Sequence, residues 1–310
     1  MKFNYSNIQA LSAMGRISIG CLLILLFSVF GDLKAQVKAT PFKDLVEQLN
    51  SPDKDQRRSA IEAIGKLDPN TKGIINALEP ILNDADDTVR AAVIVSISKI
   101  GNVSESTVSQ IIYALRDSSD QVRVAAAQAL GIIRGDKREV FPALIIALKD
   151  PDSQVREFSA YSLGHLDSNA SMTITPMIKA LKDKVAEVRV AAVYAIGRMG
   201  KDADAAIPDL IRMLRDPDYR IRRNSAEVLG NLGLDASESI PALIRNLKDS
   251  DEWARTNSAI ALGKMGTIAK DAIGNLTDCL VDPQASVREA ATEALKKIGS
   301  DAIQPSPRNR

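Results

Sequence analysis

The sequence predicts an all-α fold, an α-solenoid of eight 33-residue repeats that each contain two helices. Three residue columns at a step of 33 predict it: leucine in eight repeats, arginine in eight, and aspartate in seven, six residues before the arginine. The leucines are Leu49, Leu82, Leu115, Leu148, Leu181, Leu214, Leu247 and Leu280. The arginines are Arg57, Arg90, Arg123, Arg156, Arg189, Arg222, Arg255 and Arg288. The aspartates are Asp84, Asp117, Asp150, Asp183, Asp216, Asp249 and Asp282. No insertion or deletion breaks the register, so the predicted solenoid spans residues 40–303.

The pattern of apolar residues in each repeat predicts two amphipathic helices. In the fourth repeat, Phe141, Leu144 and Leu148 fall at helical spacing and form the apolar face of a first helix. Val155 and Leu163 face the core from the second helix. A two-helix unit of this size cannot bury both apolar faces by itself. Stacked repeats are therefore expected to share one continuous core.

Helix ends and helix contacts are also marked in the sequence. Asp150 is the expected N-cap of the second helix, with Pro151 in its first turn. Pro142 and Pro208 are expected to mark the starts of first helices, and a glycine such as Gly200 often ends the second helix. A column of small residues is expected to let neighbouring second helices approach closely: Ala126, Ser159, Ala192, Ser225, Ser258 and Ala291.

Residues 1–35 differ from the repeats and predict a secretory signal peptide. Lys2 and Arg16 precede an apolar run at 17–30, and a short polar stretch ending in Ala35 follows. The run is shorter than the roughly 20 apolar residues that a bilayer span needs. The protein is therefore expected to be exported, either periplasmic or secreted. An uncleaved N-terminal membrane anchor is the alternative.

The charge balance argues against a nucleic-acid partner. Without residues 1–35 the chain loses three of its 40 basic residues and one of its 39 acidic residues, which leaves a formal net charge of −1. Nucleic-acid binding relies on an excess of cationic groups that neutralise phosphates. We therefore expect a protein or peptide partner, and a membrane contact only if the N-terminal segment is retained. The sequence leaves the oligomeric state open.

The arginine column has two possible roles, a stripe that binds an anionic ligand or a strut that holds repeats together. The aspartate column matches it in number and has the opposite charge. A guanidinium group matches a carboxylate in a bidentate geometry. The arginine follows an apolar core position, as Arg156 follows Val155, which should cover its aliphatic stem. We therefore expect a structural ladder of Arg–Asp hydrogen bonds along the solenoid.

These residues also carry a family resemblance. The unit Leu-Lys-Asp-Pro-Asp…Val-Arg…Ala…Leu-Gly, with Asp150 six residues before Arg156, resembles HEAT repeats. Its short period is most similar to the HEAT-like repeats of phycobilisome lyases. The resemblance implies an armadillo-like helical scaffold that binds protein. It also implies an alternative, a bilin-lyase-type enzyme or enzyme accessory protein, although such lyases act in the cytosol and no residue here matches a lyase catalytic position.

A second enzyme family of similar fold, deoxyhypusine hydroxylase, binds iron through His-Glu dipeptides. His165 is the single histidine and is followed by Leu166, so the iron site that this resemblance would imply is missing. An oxidoreductase label would rest on fold analogy alone. A lone histidine also excludes metal sites built from several histidines. The sequence therefore predicts no catalytic residues, no metal and no cofactor, and favours a protein that is not an enzyme.

The candidate binding residues lie on the exposed side of the second helices, which should form the inner face of the solenoid. They are Phe158, Tyr161, His165, Tyr194, Arg198, Arg223 and Trp253. Tyrosine, tryptophan and arginine are enriched at the energetic centres of protein interfaces. The competing interpretation is that these aromatic residues only fill gaps between helices. Residues 304–310, rich in proline and polar residues, are expected to form a disordered tail. The overall hypothesis is an exported, non-enzymatic scaffold that binds a protein on this face.

Overall fold

The structure is a computed structural model that describes residues 40–101, 103–133, 137–166 and 170–299. The predicted signal peptide, residues 1–35, and the predicted tail, residues 304–310, lie outside these residues. The chain divides into two compact units, residues 1–47 and residues 48–310. In the first unit the described part is residues 40–47, most of helix α1 (Phe42–Gln48), in which Leu45 is buried. No helix among the described residues is long and apolar enough to cross a membrane.

The second unit is an all-α solenoid, as the sequence predicted, and its described residues contain no strand. Helix α2 (Lys54–Ile64) is followed by seven helix pairs. These are α3 (Ile74–Leu78) and α4 (Asp87–Ile100), α5 (Glu105–Ala114) and α6 (Asp120–Ile132), α7 (Lys137–Ala147) and α8 (Ser153–His165), α9 (Ala170–Ala180) and α10 (Ala186–Arg198), α11 (Ile207–Met213) and α12 (Tyr219–Leu232), α13 (Ile240–Asn246) and α14 (Glu252–Met265), and α15 (Ile273–Cys279) and α16 (Ala285–Ile298). The even-numbered helices begin at steps of 33 residues, which confirms the period.

The core lies between helices of successive repeats. From α2 to α16, each even-numbered helix packs against the next even-numbered helix, and from α4 onward each also packs against the odd-numbered helix before it. Val155, Leu163 and Ile196 are fully buried in this core. The predicted small-residue column is buried as well: Ala126, Ser159, Ala192, Ser225, Ser258 and Ala291. Apolar and small side chains from adjacent repeats thus form one continuous interior.

A second column of small residues, which includes Gly164 and Gly230, brings the even-numbered helices close together. A Cβ added at Gly164 would lie 2.9 Å from the Cα of Ala195 in the next helix, and one added at Gly230 would lie 2.9 Å from the Cα of Ala261. Real Cβ atoms do not approach other heavy atoms this closely, so glycine is required by the helix contact. The last described repeat has the exposed residue Lys296 in this column.

Arginine and aspartate form a ladder that joins successive repeats. Nε and Nη2 of Arg156 donate to the two carboxylate oxygens of Asp183 at 2.7 and 3.0 Å, while Nη1 donates to the carbonyl oxygen of Asp150 in its own repeat. Six further pairs repeat this arrangement: Arg57–Asp84, Arg90–Asp117, Arg123–Asp150, Arg189–Asp216, Arg222–Asp249 and Arg255–Asp282. The arginine therefore ties its own inter-helix turn to the turn of the next repeat.

The ladder corrects the expected cap of the second helix. Helix α8 begins at Ser153, and its N-cap is Asp152, whose carboxylate accepts from the backbone N–H groups of Gln154 and Val155. Asp150 accepts instead from the N–H of Asp152 and from Arg123 of the preceding repeat. The prediction of Asp150 as N-cap was wrong by two residues. The carboxylate at 150 pairs with a guanidinium group, and that leaves the next aspartate to cap the helix.

The first helices vary more than the sequence predicted. Pro208 lies in the first turn of α11, as expected, but Pro142 lies inside α7, which begins at Lys137. A proline inside a helix removes one backbone hydrogen bond, yet α7 continues past Pro142 and packs against α8. Three first helices are instead preceded by 3₁₀ segments, at Gly200–Ala206, Gly233–Ser239 and Gly266–Ala272. Each segment starts at a glycine with positive φ, for example 59° at Gly200, a backbone conformation that favours glycine.

Candidate functional site

The solvent side of the even-numbered helices carries the candidate binding residues. Glu157, Tyr161 and His165 follow one another at intervals of four residues on α8 and therefore share one helix face. The equivalent positions recur at 33-residue steps on the other even-numbered helices. We call this side the second-helix face. It presents a different set of side chains in each repeat.

Two tyrosines and the histidine form an aromatic cluster at α8 and α10, which we call the tyrosine cluster. The rings of Tyr161 and Tyr194 have centroids 5.4 Å apart and are tilted by 53°. The His165 ring lies 5.5 Å from the Tyr194 ring, and the Tyr194 hydroxyl is 3.5 Å from His165 Nε2. Both tyrosine side chains are partly exposed. Contacts between three rings position Tyr194 on an open surface.

Charged side chains from α8, α10 and α12 surround the tyrosine cluster. Arg220 donates to the carboxylates of Glu187 at 3.0 Å and Asp218 at 2.6 Å. These hydrogen bonds lower the pKa of Glu187 and of Asp218 and raise the pKa of Arg220. Glu157 behaves differently, because burial and the nearby Glu187 carboxylate raise its pKa. Burial, with Glu157 as a further cause, also raises the pKa of Tyr161.

A groove lies between α12 and α14, which we call the C-terminal groove. Its volume is about 460 Å³, and its lining includes Arg223, Asn224, Glu227, Asn231, Trp253, Asn257, Ile260 and Lys264. Trp253 and Ile260 are 48% and 41% exposed, which is high for large apolar side chains. Protein-binding sites typically have apolar surface bordered by amide and charged groups, as this groove does.

Two polar contacts hold the walls of the C-terminal groove. Asn257 Nδ2 donates to the carbonyl oxygen of Arg223 at 3.0 Å, which links α14 to α12. Lys264 Nζ donates to Asn231 Oδ1 at 2.7 Å. The guanidinium group of Arg223 stacks over the ring of Tyr219, with its central carbon 5.6 Å from the ring centroid. The groove is therefore pre-formed by contacts between two repeats.

A second groove, the N-terminal groove, lies over α2, α4 and α6. It has a volume of about 600 Å³. Its lining includes Glu62, Lys66, Val95, Lys99, Gln121, Gln128 and, from α8, Gln154. The lining is mostly polar and contains no aromatic side chain. Both grooves and the tyrosine cluster lie on the second-helix face.

The seven predicted binding residues do not form one patch. Tyr161, Tyr194 and His165 form the tyrosine cluster, whereas Arg223 and Trp253 line the C-terminal groove. The other two lie on the same face but line neither groove: Phe158 is partly buried on α8 and Arg198 is exposed on α10.

Sequence reasoning overlooked several residues of this face. Glu157 lies one turn before Tyr161, and that spacing alone could have identified it. Tyr219 was missed because it stands in a column otherwise filled by small or polar residues, although its ring is half exposed. The N-terminal groove lacks the aromatic signal on which the prediction depended. Its lining includes the small side chains Ala91 and Ala92.

Two observations concern groups that commonly take part in catalysis. They contain no group of three or more histidine, cysteine, aspartate or glutamate side chains placed to hold a metal ion. Cys279 is buried, and burial raises the pKa of its thiol to about 11, so it is protonated at neutral pH. A protonated, buried thiol is a poor nucleophile.

Solved structures share this architecture. An engineered protein is 21% identical, with 86% of this chain and 80% of that chain covered and a TM-score of 0.59. The YibA protein of Escherichia coli is 24% identical, with 80% and 87% covered and a TM-score of 0.61. The complex of CpcE and CpcF of phycocyanin lyase from Nostoc sp. PCC7120 is 22% identical, with 74% and 95% covered and a TM-score of 0.47. At these identities the first two similarities show the fold alone. No curated protein matches the sequence.

The sequence profile of HEAT repeats matches the chain in five overlapping stretches, residues 42–109, 108–174, 141–230, 174–263 and 207–296. These stretches together run across the whole of the repeat region. With the 33-residue period, the paired helices and the Arg–Asp ladder, this match establishes that the chain belongs to the HEAT-repeat family.

Proposed function

We propose that this protein is a non-enzymatic scaffold that binds an extended segment of a partner protein on its second-helix face. The observation that carries the proposal is the shared location of three features. The N-terminal groove, the tyrosine cluster and the C-terminal groove lie on one face of consecutive repeats. A partner chain laid across the even-numbered helices could contact all three. Extended surfaces of this kind are what helical repeat proteins use for binding.

The chemistry of the face supports a protein partner over a small metabolite. Neither groove is a closed cavity, and their linings alternate apolar, amide and charged side chains. Trp253 and Tyr194 offer large, stiff contact surfaces, which lose little side-chain entropy on binding. Arg223 and Glu227 offer charges of both signs next to Trp253. Mixed contacts of this type fit a peptide with side chains of several kinds.

Photo-crosslinking tests the proposal. The protein is produced in its native host with p-benzoylphenylalanine in place of Trp253. After illumination, we expect this side chain to crosslink one specific partner protein. The matched control is the same group at Tyr113, a 74% exposed residue of the first helix α5. The double variant Tyr161→Ala and Tyr194→Ala should reduce the Trp253 crosslink at least about tenfold, as hot-spot truncations do. Equal crosslinking from both positions, or no effect of the double variant, would contradict binding on the second-helix face.

Export is part of the same proposal. The apolar run at 17–30, preceded by basic residues, supports a secretory signal peptide. N-terminal sequencing of the protein from fractionated cells tests this. A mature N-terminus close to residue 36, in the periplasmic or secreted fraction, is the expected result. An intact N-terminus in the membrane fraction would favour the anchor, and one in the cytosol would rule out export.

A further inference from the structure

The tyrosine cluster contains an unusual carboxylate. Glu157 lies one helical turn before Tyr161, so both side chains leave the same face of α8. Its side chain is partly buried. Among the described residues, no hydrogen bond or ion pair engages this carboxylate, in contrast to Glu187, which accepts from Arg220. A partly buried charge without a bonded partner is costly, and folded proteins usually avoid it.

The two tyrosine rings next to Glu157 form an open angle. Their planes are tilted by 53° with centroids 5.4 Å apart, so the rings pack against each other, and both side chains are partly exposed. The faces of aromatic rings carry negative charge density and attract cations. The hydroxyl of Tyr194 beside His165 Nε2 helps to hold the second ring in place. Two partly exposed rings and a partly buried carboxylate thus lie near one another on this face.

The local charges decide which kind of group fits there. Arg220, the cation that affects both Glu157 and Tyr161, already donates to Glu187 and Asp218. An apolar side chain would bury Glu157 further without neutralising it, and an anionic one would add repulsion. A cationic group satisfies both the rings and the carboxylate, because it is attracted to the ring faces and neutralises the carboxylate. Burial and Glu187 raise the pKa of Glu157, which agrees with a carboxylate that lacks a cation.

We propose that Glu157, Tyr161 and Tyr194 form a subsite for a lysine or arginine side chain of the partner protein. The inference rests on the proposed function and adds the chemical class of the side chain that is recognised. The cation would lie against the exposed surfaces of the two rings, and its N–H groups would donate to the Glu157 carboxylate.

Two short peptides test the subsite directly. The first is acetyl-Gly-Ser-Arg-Ser-Gly-amide, and the second replaces its arginine with citrulline, which has nearly the same shape and no charge. Nuclear magnetic resonance of ¹³C-labelled tyrosine rings reports on the site, because the chain has only five tyrosines. We expect the arginine peptide to shift the signals of Tyr161 and Tyr194 and to leave Tyr113 unchanged. The citrulline peptide should cause no such shifts. Equal shifts from both peptides, or shifts only at Tyr113, would overturn the subsite.

Matched variants separate the contribution of the Glu157 charge to binding from the contribution of the tyrosine rings. Glu157→Gln keeps the shape of the side chain and should weaken binding of the arginine peptide about tenfold, as expected for the loss of a hydrogen bond to a charged group. Tyr161→Phe keeps the ring and should bind nearly as well as the original chain, whereas Tyr161→Leu should bind less well. Unchanged affinity of the Glu157→Gln variant, with its helix content confirmed by circular dichroism, would show that the carboxylate has no such role.

The subsite and the scaffold can fail independently. If the Trp253 crosslink depends on the tyrosines but arginine and citrulline peptides bind alike, the scaffold stands and the cation subsite is wrong. If the peptides are distinguished but no crosslink forms, the subsite stands and the scaffold is wrong.

Discussion

Arg156 and Asp183 form a bidentate pair across the boundary between two repeats, with Nε–Oδ2 and Nη2–Oδ1 distances of 2.7 and 3.0 Å. Their side chains are 8% and 14% exposed. Two parallel hydrogen bonds between charged groups fix both distance and orientation. The pair therefore sets how one inter-helix turn lies on the next, and its removal should weaken the coupling between repeats.

The substitution Asp183→Ala tests that coupling. It leaves the Arg156 guanidinium group largely buried without its carboxylate, which should lower the free energy of unfolding by about 2–4 kcal/mol. Urea unfolding followed by circular dichroism measures the change. Arg288→Ala is the control, because among the described residues Arg288 donates to the carbonyl oxygens of Asp282 and Pro283, both in its own turn, and pairs with no aspartate. It should cost about 1 kcal/mol. Equal losses in the two variants would contradict a role for the ladder between repeats.

The ladder also predicts sensitivity to acid. Burial by itself would raise the pKa of Asp183, but hydrogen bonds from Arg156 and from the N–H of Val185 outweigh it and lower the pKa. The pKa values of Asp84, Asp117, Asp249 and Asp282 are lowered as well. Since the pKa is lower in the folded than in the unfolded chain, this stability is present above the unfolded value of about 3.9 and is lost as the pH falls below it.

Thermal unfolding between pH 7 and pH 2.5 checks this dependence. The midpoint should stay nearly constant down to about pH 5 and then fall steeply below about pH 4. A midpoint that stays constant down to pH 3 would mean that the ionised aspartates of the ladder do not stabilise the folded chain.

Glu157→Gln should raise the stability of the folded chain at neutral pH, whereas Asp183→Ala should lower it. Burial and Glu187 raise the pKa of Glu157, so its charged form destabilises the folded chain at neutral pH. The variant should unfold at a higher temperature than the original chain at pH 7, and the gain should vanish as the pH falls through the pKa of Glu157. Glu187→Gln is the control, because its hydrogen bond with Arg220 lowers the pKa of Glu187 and the variant should lose stability at pH 7. Equal effects of the two variants would contradict the assignment.

Gly230→Ala should weaken the contact between α12 and α14. The added Cβ would lie 2.8 Å from the Ala261 Cβ, so the two helices must move apart. We expect a loss of about 1–3 kcal/mol, as for other overpacked interiors. Gly274→Ala is the matched control, because Gly274 lies in helix α15 with open space around it. That variant should gain about 0.5–1 kcal/mol. Urea unfolding of both proteins measures the difference, and a neutral Gly230→Ala would contradict the close packing.

Ser225→Ala should be neutral or stabilising by up to about 1 kcal/mol. The buried hydroxyl of Ser225 has no hydrogen-bond partner among the described residues. Ser258, one repeat later in the same column, donates to the carbonyl oxygen of Ala254 at 2.8 Å and accepts from Asn246 at 2.8 Å. Ser258→Ala should therefore cost about 1 kcal/mol. Differential scanning calorimetry would show the contrast, and a clear loss for Ser225→Ala would point to a partner for its hydroxyl.

The fold was predictable because its signals are periodic. Leucine and arginine recur in register in eight repeats and aspartate in seven, and seven of the arginines pair with the aspartate of the next repeat. Local detail was less predictable where one residue type suits two roles. Asp150 and Asp152 can both cap a helix, and only the position of Arg123 in the preceding repeat decides between them. Proline usually interrupts a helix, but α7 continues on both sides of Pro142.

The candidate site was predictable only in part. Helical spacing placed Tyr161, His165 and Tyr194 on one face, and the structure brings their rings into contact. The same spacing could not show that Arg223 and Trp253 border a separate groove, or that Glu157 lacks a bonded cation. Those features depend on distances between side chains of different repeats, which the order of residues along one helix does not contain.

The sequence by itself determined the repeat length, the helical class and the residues that line the interior, because helix periodicity and the burial of apolar side chains act within each repeat. Only the tertiary structure decided the partners in the ladder, the depth of the grooves and the environment of Glu157. These depend on how closely neighbouring repeats stack. That distance is set by steric contacts such as Gly164 against Ala195, between residues that lie about one repeat apart in the chain.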